Sequence, residues 1–332
     1  MKYLLSAFLV GTLFIAAHAQ EIKNPVLNKD FADPTIINHH GVYYAYATQG
    51  MYNNKLLNIQ VASSGDLVHW TVLGDALPEK PLWANKTQDF WAPHVLYDEA
   101  IHKYVMFFSG KNNDTTYDKC IGVAFADSAA GPFVPKDTPL LKGRGFTEID
   151  PMAIIDPATK KKVLYWGSGF QPIRVQELND DWCSFKEGTS PLAILYPGKE
   201  KKYTHLLEGA WVDYHEGNYY LYFSGDNCCG ERASYAVMVA KAASAFGPFK
   251  TLGEANGTGN SVILEKDSAW LAPGHNSVFK DNNGNNWIAY HAIPVSKATG
   301  NKPGKPNFSI GRVFCLNPMQ YKNGWPVIIK KY

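Results

Sequence analysis

Beyond its first twenty residues this 332-residue chain lacks long hydrophobic runs, so no later segment is expected to cross a bilayer as a helix. An excess of one charge is missing too. Thirty-two Lys and Arg stand against 30 Asp and Glu, and the longest basic runs are Lys160-Lys161-Lys162 and Lys201-Lys202. No nucleic-acid or membrane-surface partner is expected from so dispersed a charge. Cysteine is scarce: Cys120, Cys183, Cys228, Cys229 and Cys315 are too few for a disulfide scaffold, and none has zinc-site spacing. Cys228 and Cys229 are adjacent in a Gly-Asp-Asn-Cys-Cys-Gly turn, either as two small loop residues or as a vicinal disulfide. Either form is expected to be structural. An Asp-x-Asp-x-Asp cluster of the kind that cages a divalent cation is absent. So are low-complexity linkers and sustained helical periodicity, which argues against a domain boundary or an α-rich fold.

What is present begins with residues 1–20. Lys2, the run LLSAFLVGTLFIAA and the small residues Ala17 and Ala19 flanking His18 read as a cleavable secretory signal, with no Cys near the cut to carry a lipid. A soluble secreted or periplasmic protein is expected, acting as a monomer. Aromatic residues make up 14% of the chain and include nine Trp, a content that suits both propeller cores and sugar-binding clefts.

The strongest signal is a repeat. Segments beginning FADPTIINHHGVYYAYAT, FWAPHVLYDEAIHKYVMFF, EIDPMAIIDPATKKKVLYWGS, LEGAWVDYHEGNYYLYFSG and APGHNSVFKDNNGNNWIAYHA each give an apolar run, a polar turn and a Tyr/Phe/Val-rich run. That is a hairpin signature, recurring about every sixty residues. A second repeat has the same phase: the turns at Gly131-Pro132-Phe133 and Gly247-Pro248-Phe249 lie 116 residues apart, or two periods. The expected fold is all-β, a five-bladed β-propeller over residues 21–332 as a single domain, with the active site at the central axis. Aligning the copies puts Asp33, Trp91, Asp150, Glu208 and His275 at equivalent positions, which a propeller would converge on its axis.

Asp33 and Asp150 each precede a proline and an apolar strand with paired isoleucines, a form suited to the first position of a strand. Asp156-Pro157 in the next loop reads as an ordinary turn. Glu208 lies in Leu206-Leu207-Glu208-Gly209-Ala210-Trp211, where a charge is costly unless it finds a partner or keeps its proton. Gly209 leaves room there for a ligand or backbone to approach. Two or three carboxylates meeting in an aromatic-rich cleft suggest cleavage of a glycosidic bond, one acid protonating the leaving oxygen and another acting on the nucleophile.

The chain resembles glycoside hydrolase family 43, the five-bladed arabinanases, arabinofuranosidases and xylosidases, from Asn24 to Pro326. The resemblance rests on Ala32-Asp33-Pro34, the segment from Val61 to Trp70, Trp91-Ala92-Pro93-His94, Ile149-Asp150-Pro151, Glu208-Gly209, both Gly-Pro-Phe turns and Gly274-His275-Asn276-Ser277-Val278. It implies an inverting O-glycosyl hydrolase of arabinose-containing plant cell-wall polysaccharide or oligosaccharide, endo- or exo-acting. Asp33 would be the general base, Glu208 the general acid, and Asp150 the carboxylate that orients the acid and raises its pKa. His275 corresponds to a histidine that, in the arabinanase branch, holds a calcium or similar axial ion through waters; no organic cofactor is implied. Arg312 resembles an arginine that hydrogen-bonds the bound sugar. Trp91 is expected to line the cleft and stack on sugar, with Phe90 and His94 on the same wall, whereas His291 reads as a packed strand residue. Where the family often has proline after the acid's glycine, this chain has Ala210. A β-xylosidase of the same family and a non-catalytic sugar-binding propeller are the competing readings.

Overall fold

A computed structural model describes residues 22–198, 202–230, 232–298 and 311–330; the signal-like segment 1–20 lies outside the described residues. Five antiparallel sheets follow one another along the chain, each built on a four-stranded meander; in blades two and four a short extra strand, Leu141–Lys142 or Val262–Leu264, also pairs with the third strand, and a separate two-stranded hairpin joins Gly50–Tyr52 to Lys55–Leu57. From the innermost strand outward, blade one comprises Thr35–His39, Val42–Ala47, Gln60–Ser64 and Thr71–Asp75. The innermost strands of blades two to five are Trp91–Asp98, Met152–Ile155, Leu207–His215 and Trp270–Lys280. No helix among the described residues is long and apolar enough to cross a membrane.

Burial follows position in the blade. The second strands, such as Asn218–Gly225 (NYYLYFSG), are buried along almost their whole length because each blade is covered on both faces by its neighbours. Strands of that kind lose the inside-outside alternation of a half-exposed sheet and read as continuous apolar runs. The outer strand Thr71–Asp75 has no such cover and stays partly or fully exposed. Hydrophobic clusters accordingly fill the gaps between adjacent blades: Tyr46, Trp83, Phe90 and Phe108 between one and two, and Val105, Phe107, Leu164 and Trp182 between two and three. Buried polar ties reinforce them. Lys162 Nζ pairs with Asp98 Oδ2 at 2.7 Å across blades three and two, and the Tyr219 hydroxyl donates to Asp156, which also caps its own turn.

Turn chemistry sets the hairpins. His40-Gly41, Glu216-Gly217 and Asn323-Gly324 all place two consecutive residues at positive φ between antiparallel strands, the backbone of a two-residue hairpin turn whose twist matches the strands. Closure of the ring joins the two ends of the described chain. The third strand of blade five, Val313–Lys322, pairs at its far end with Trp325–Ile328 and at its near end with the lead-in segment, where Val26 N–H donates to Phe314 O at 2.9 Å. Asn24 adds a two-way side-chain bond to the backbone of Leu316. Tying first residues to last stops the blades from opening, because the ring cannot part without breaking this seam.

Candidate active site

Near the start of each innermost strand stands a residue in the left-handed region: Asp33 (φ 57°), Ala92 (φ 44°), Asp150 (φ 59°), Gly209 (φ 61°) and, after a second one at Ala272 (φ 47°), His275 (φ 47°). This corrects the phase read from sequence by one residue in two blades, since Ala92 and Gly209, rather than Trp91 and Glu208, occupy the repeated position. A non-glycine residue there is strained, and it persists only where the surroundings fix it. The fixing groups are visible. In four blades the backbone N–H of the left-handed residue donates to a side chain at the end of the preceding blade's second strand: Asp33 to His291 Nδ1 (3.1 Å), Ala92 to Thr48 Oγ1 (2.9 Å), Asp150 to Ser109 Oγ (3.1 Å) and His275 to Ser224 Oγ (2.8 Å).

Blade four departs from the rule, and the departure builds the site. Gly209 N–H donates to Asp150 Oδ2 at 3.0 Å, and the hydroxyl that would otherwise take it, Ser168, donates to Glu208 Oε2 at 2.6 Å. Asp150 thus holds the backbone beside Glu208, while the Tyr235 phenol holds the other carboxylate oxygen, Oε1, at 2.8 Å. Glycine at 209 meets both the left-handed φ and a close approach, since a Cβ would lie 3.2 Å from the His275 ring. The room it leaves is taken by His275.

The environments of the two aspartates differ. Asp33 is buried, and burial alone would raise its pKa. Arg312, then His275 and His291, outweigh that and hold the carboxyl well below the usual carboxylate range. Arg312 Nη1 and His291 Nδ1 each lie 3.1 Å from Asp33 Oδ1, His275 Nδ1 lies 3.3 Å away, and Thr48 donates to Oδ2. Burial pushes the Asp150 carboxyl up to about 7; His275 opposes the rise, and the Glu208 and Asp33 carboxylates add to it. A carboxyl held low and one pushed up therefore sit on the same axis.

These groups line a cavity of about 460 Å³ together with Trp91, Phe146, Phe170 and the Cys228–Cys229 bridge. Trp91 is half-buried, parallel to Phe146 at 6.1 Å, with Lys119 Nζ 4.3 Å from its ring centre. Two other expectations change. Phe90 is wholly buried between blades one and two, because its side chain faces the blade interface rather than the axis. His94 is buried against Trp211, away from the cavity wall, with burial pushing its pKa to about 4. Arg312 lines the cavity, but one of its guanidinium nitrogens is already engaged by Asp33. Cys228 and Cys229 form a disulfide, the second of the two alternatives, and they border the cavity. As for metal, no group of three or more His, Cys, Asp or Glu among the described residues has metal-holding geometry. His275, facing two carboxylates, fits at most an ion held through waters.

Sequence reasoning missed Thr48, Ser168, Tyr235 and above all His291, which is fully buried, contacts Asp33 and stacks on Tyr235. A signal was present. Thr48, Ser109, Ser168, Ser224 and His291 end the second run of the five repeats, so reading that end in register would have exposed the set.

Comparison with known proteins gives a consistent picture. The sequence profile described as Glycosyl hydrolases family 43 matches residues 22–326. A "Probable arabinan endo-1,5-alpha-L-arabinosidase A" of Aspergillus flavus is 25% identical over 314 residues, covering 89% of this chain and 90% of that one. Its namesake in Aspergillus fumigatus is 27% identical, covering 97% and 99%. Among solved structures, a thermostable family-43 glycoside hydrolase superposes with a TM-score of 0.75 at 26% identity, over 94% of this chain and 96% of that one.

Proposed function

The chain belongs to glycosyl hydrolase family 43, and on that premise we propose that it is an exported enzyme cleaving an arabinose-containing polysaccharide or oligosaccharide with inversion. The observation that carries the reading is the unequal treatment of the carboxylates around one cavity. Asp33, held ionised chiefly by Arg312, is suited to take a proton from the attacking water. Glu208, fixed through both oxygens by Ser168 and Tyr235, is the general acid that delivers a proton to the leaving oxygen. Asp150 fixes the Glu208 backbone through Gly209 and so orients the acid, its own carboxyl pushed up to about 7 by burial. One turnover leaves Asp33 protonated and Glu208 ionised, and exchange with solvent resets both. Arabinan is favoured over xylan as substrate because the named curated relatives are arabinan-acting.

A calcium-type ion belongs to the proposal only as one held through waters at His275, where it would add positive charge near Asp33 and Asp150. Chelation followed by an activity assay and a melting curve tests it: unchanged values would remove the ion from the reading.

Substrate is tested by incubating the purified protein with linear arabinan, arabinoxylan, xylan and the aryl glycosides of arabinose and xylose. Release of arabinose or arabino-oligosaccharides is the expected result. Activity confined to xylosides would favour the β-xylosidase alternative, and binding without cleavage would favour a sugar-binding propeller.

A further inference from the structure

In the connection between the second and third strands of blade four, Asn227, Cys228 and Cys229 form part of the cavity wall, and the connection ends at Tyr235, the residue that holds Glu208. It is tied down at both ends. Asp226 N–H donates to Leu206 O at 2.9 Å and Ser234 N–H to Asn227 O at 2.9 Å, while Cys228 packs into a small apolar cluster with Tyr235, Ala272 and Ile293. Cys229 is exposed, and both sulfurs' residues border the same cavity as Asp33, Asp150 and Glu208.

We propose that the Cys228–Cys229 bridge is a substrate-contacting, specificity-determining surface of the active site, packing its sulfurs against the C–H face of the bound pentose ring. This rests on the reading of the cavity as a glycosidase site. The chemistry is specific to the bridged form. A disulfide carries no hydrogen-bond donor and does not compete for the sugar's hydroxyls, and its polarisable sulfurs make favourable contact with apolar groups. Closing two adjacent side chains into one ring also removes their rotations beforehand, so little ordering cost remains when the sugar arrives. Two separate thiols would present weak donors on free rotors instead. Trp91 and Phe146, carried by blade two and its connection to blade three, supply aromatic surface elsewhere on the same cavity. The sugar ring is thereby held between an aromatic wall and a sulfur wall, with the carboxylates on the axis below.

The other cysteines make the test clean, because Cys120, Cys183 and Cys315 are free and none borders the cavity. A water-soluble phosphine reduces the bridge to two thiols, giving up two electrons and leaving as phosphine oxide with its oxygen from water. Reduction of the wild type is expected to raise KM for an arabinose-based substrate about five- to tenfold with kcat within about twofold, reversibly on reoxidation. Cys228→Ala/Cys229→Ala should match the reduced wild type and ignore the phosphine. Should that variant misfold, the reduction and reoxidation cycle on the native enzyme still decides. Alkylation of the untreated, denatured protein should label three thiols; labelling of all five overturns the proposal. An unchanged KM on reduction also overturns it, as does a fall in kcat with KM held, which would mark a loosened Tyr235 rather than a lost sugar contact. A wild type inactive on every pentoside would instead refute the functional reading itself.

Discussion

Arg312→Met removes the cation beside Asp33 while keeping most of the side-chain stem. An opposite charge within about 4–6 Å typically lowers a carboxyl pKa by about 1–3 units. Here Nη1 lies 3.1 Å from Oδ1 and the arginine side chain is only 19% exposed, so screening by water is limited. His275 and His291 remain at 3.3 and 3.1 Å, so part of the depression survives. A rise in the Asp33 pKa is therefore expected. The base must be ionised to act, so kcat/KM falls as pH drops through its pKa, and the acid limb of the profile should move to higher pH by the same amount. A pH series on a soluble aryl pentoside measures it. Stability gives a second reading. In the wild type the depressed Asp33 contributes stability that is present above the unfolded pKa of 3.8 and lost as pH falls through the lower folded value. Removing Arg312 should therefore cost nearly the same stability at pH 7 and at about pH 4, and the difference from wild type should shrink only as pH falls further, through the depressed wild-type value. An unmoved acid limb with KM raised at every pH would refute this and restore Arg312 as a sugar ligand.

Three further outcomes follow from the same geometry. Glu208→Gln should abolish hydrolysis of natural linkages, by roughly 10²–10⁴-fold, yet spare aryl glycosides with activated leaving groups; equal losses on both would remove Glu208 as the acid. Gly209→Ala forces a side chain into the left-handed φ and to within 3.2 Å of His275, so melting should fall by about 1–3 kcal/mol and kcat should drop as Glu208 shifts. Wild-type stability and rate would show that the backbone there is not constrained. Lys162→Met leaves the Asp98 carboxylate, 1% exposed, without its cation, and denaturant titration should show a loss of about 3–5 kcal/mol, partly recovered by adding Asp98→Asn. Kinetics on folded protein should not change, because the pair lies between blades and away from the cavity.

Much of the fold was legible because a propeller repeats its local chemistry. The sixty-residue period of apolar run, polar turn and Tyr/Phe/Val-rich run is a local signal, and the structure builds a hairpin from each copy. Asp33 and Asp150 were equally readable, as charged residues repeated before proline at strand starts. The phase in blades two and four was not. A residue's φ depends on what its N–H can reach, and the Thr48 and Asp150 side chains that decide this for Ala92 and Gly209 come from the preceding blade.

The sequence alone determined that five similar units surround an axis and that carboxylates face it, since both are consequences of periodicity. Only the tertiary structure decided the electrostatic division of labour. Arg312 reaches Asp33 across 279 residues of sequence, His291 does so from the last blade, and Asp150 meets Glu208 through the backbone of Gly209. A carboxylate's proton affinity is set by charges and burial within a few ångströms, and the closed ring brings those neighbours together from distant blades. Sequence spacing carries no record of them.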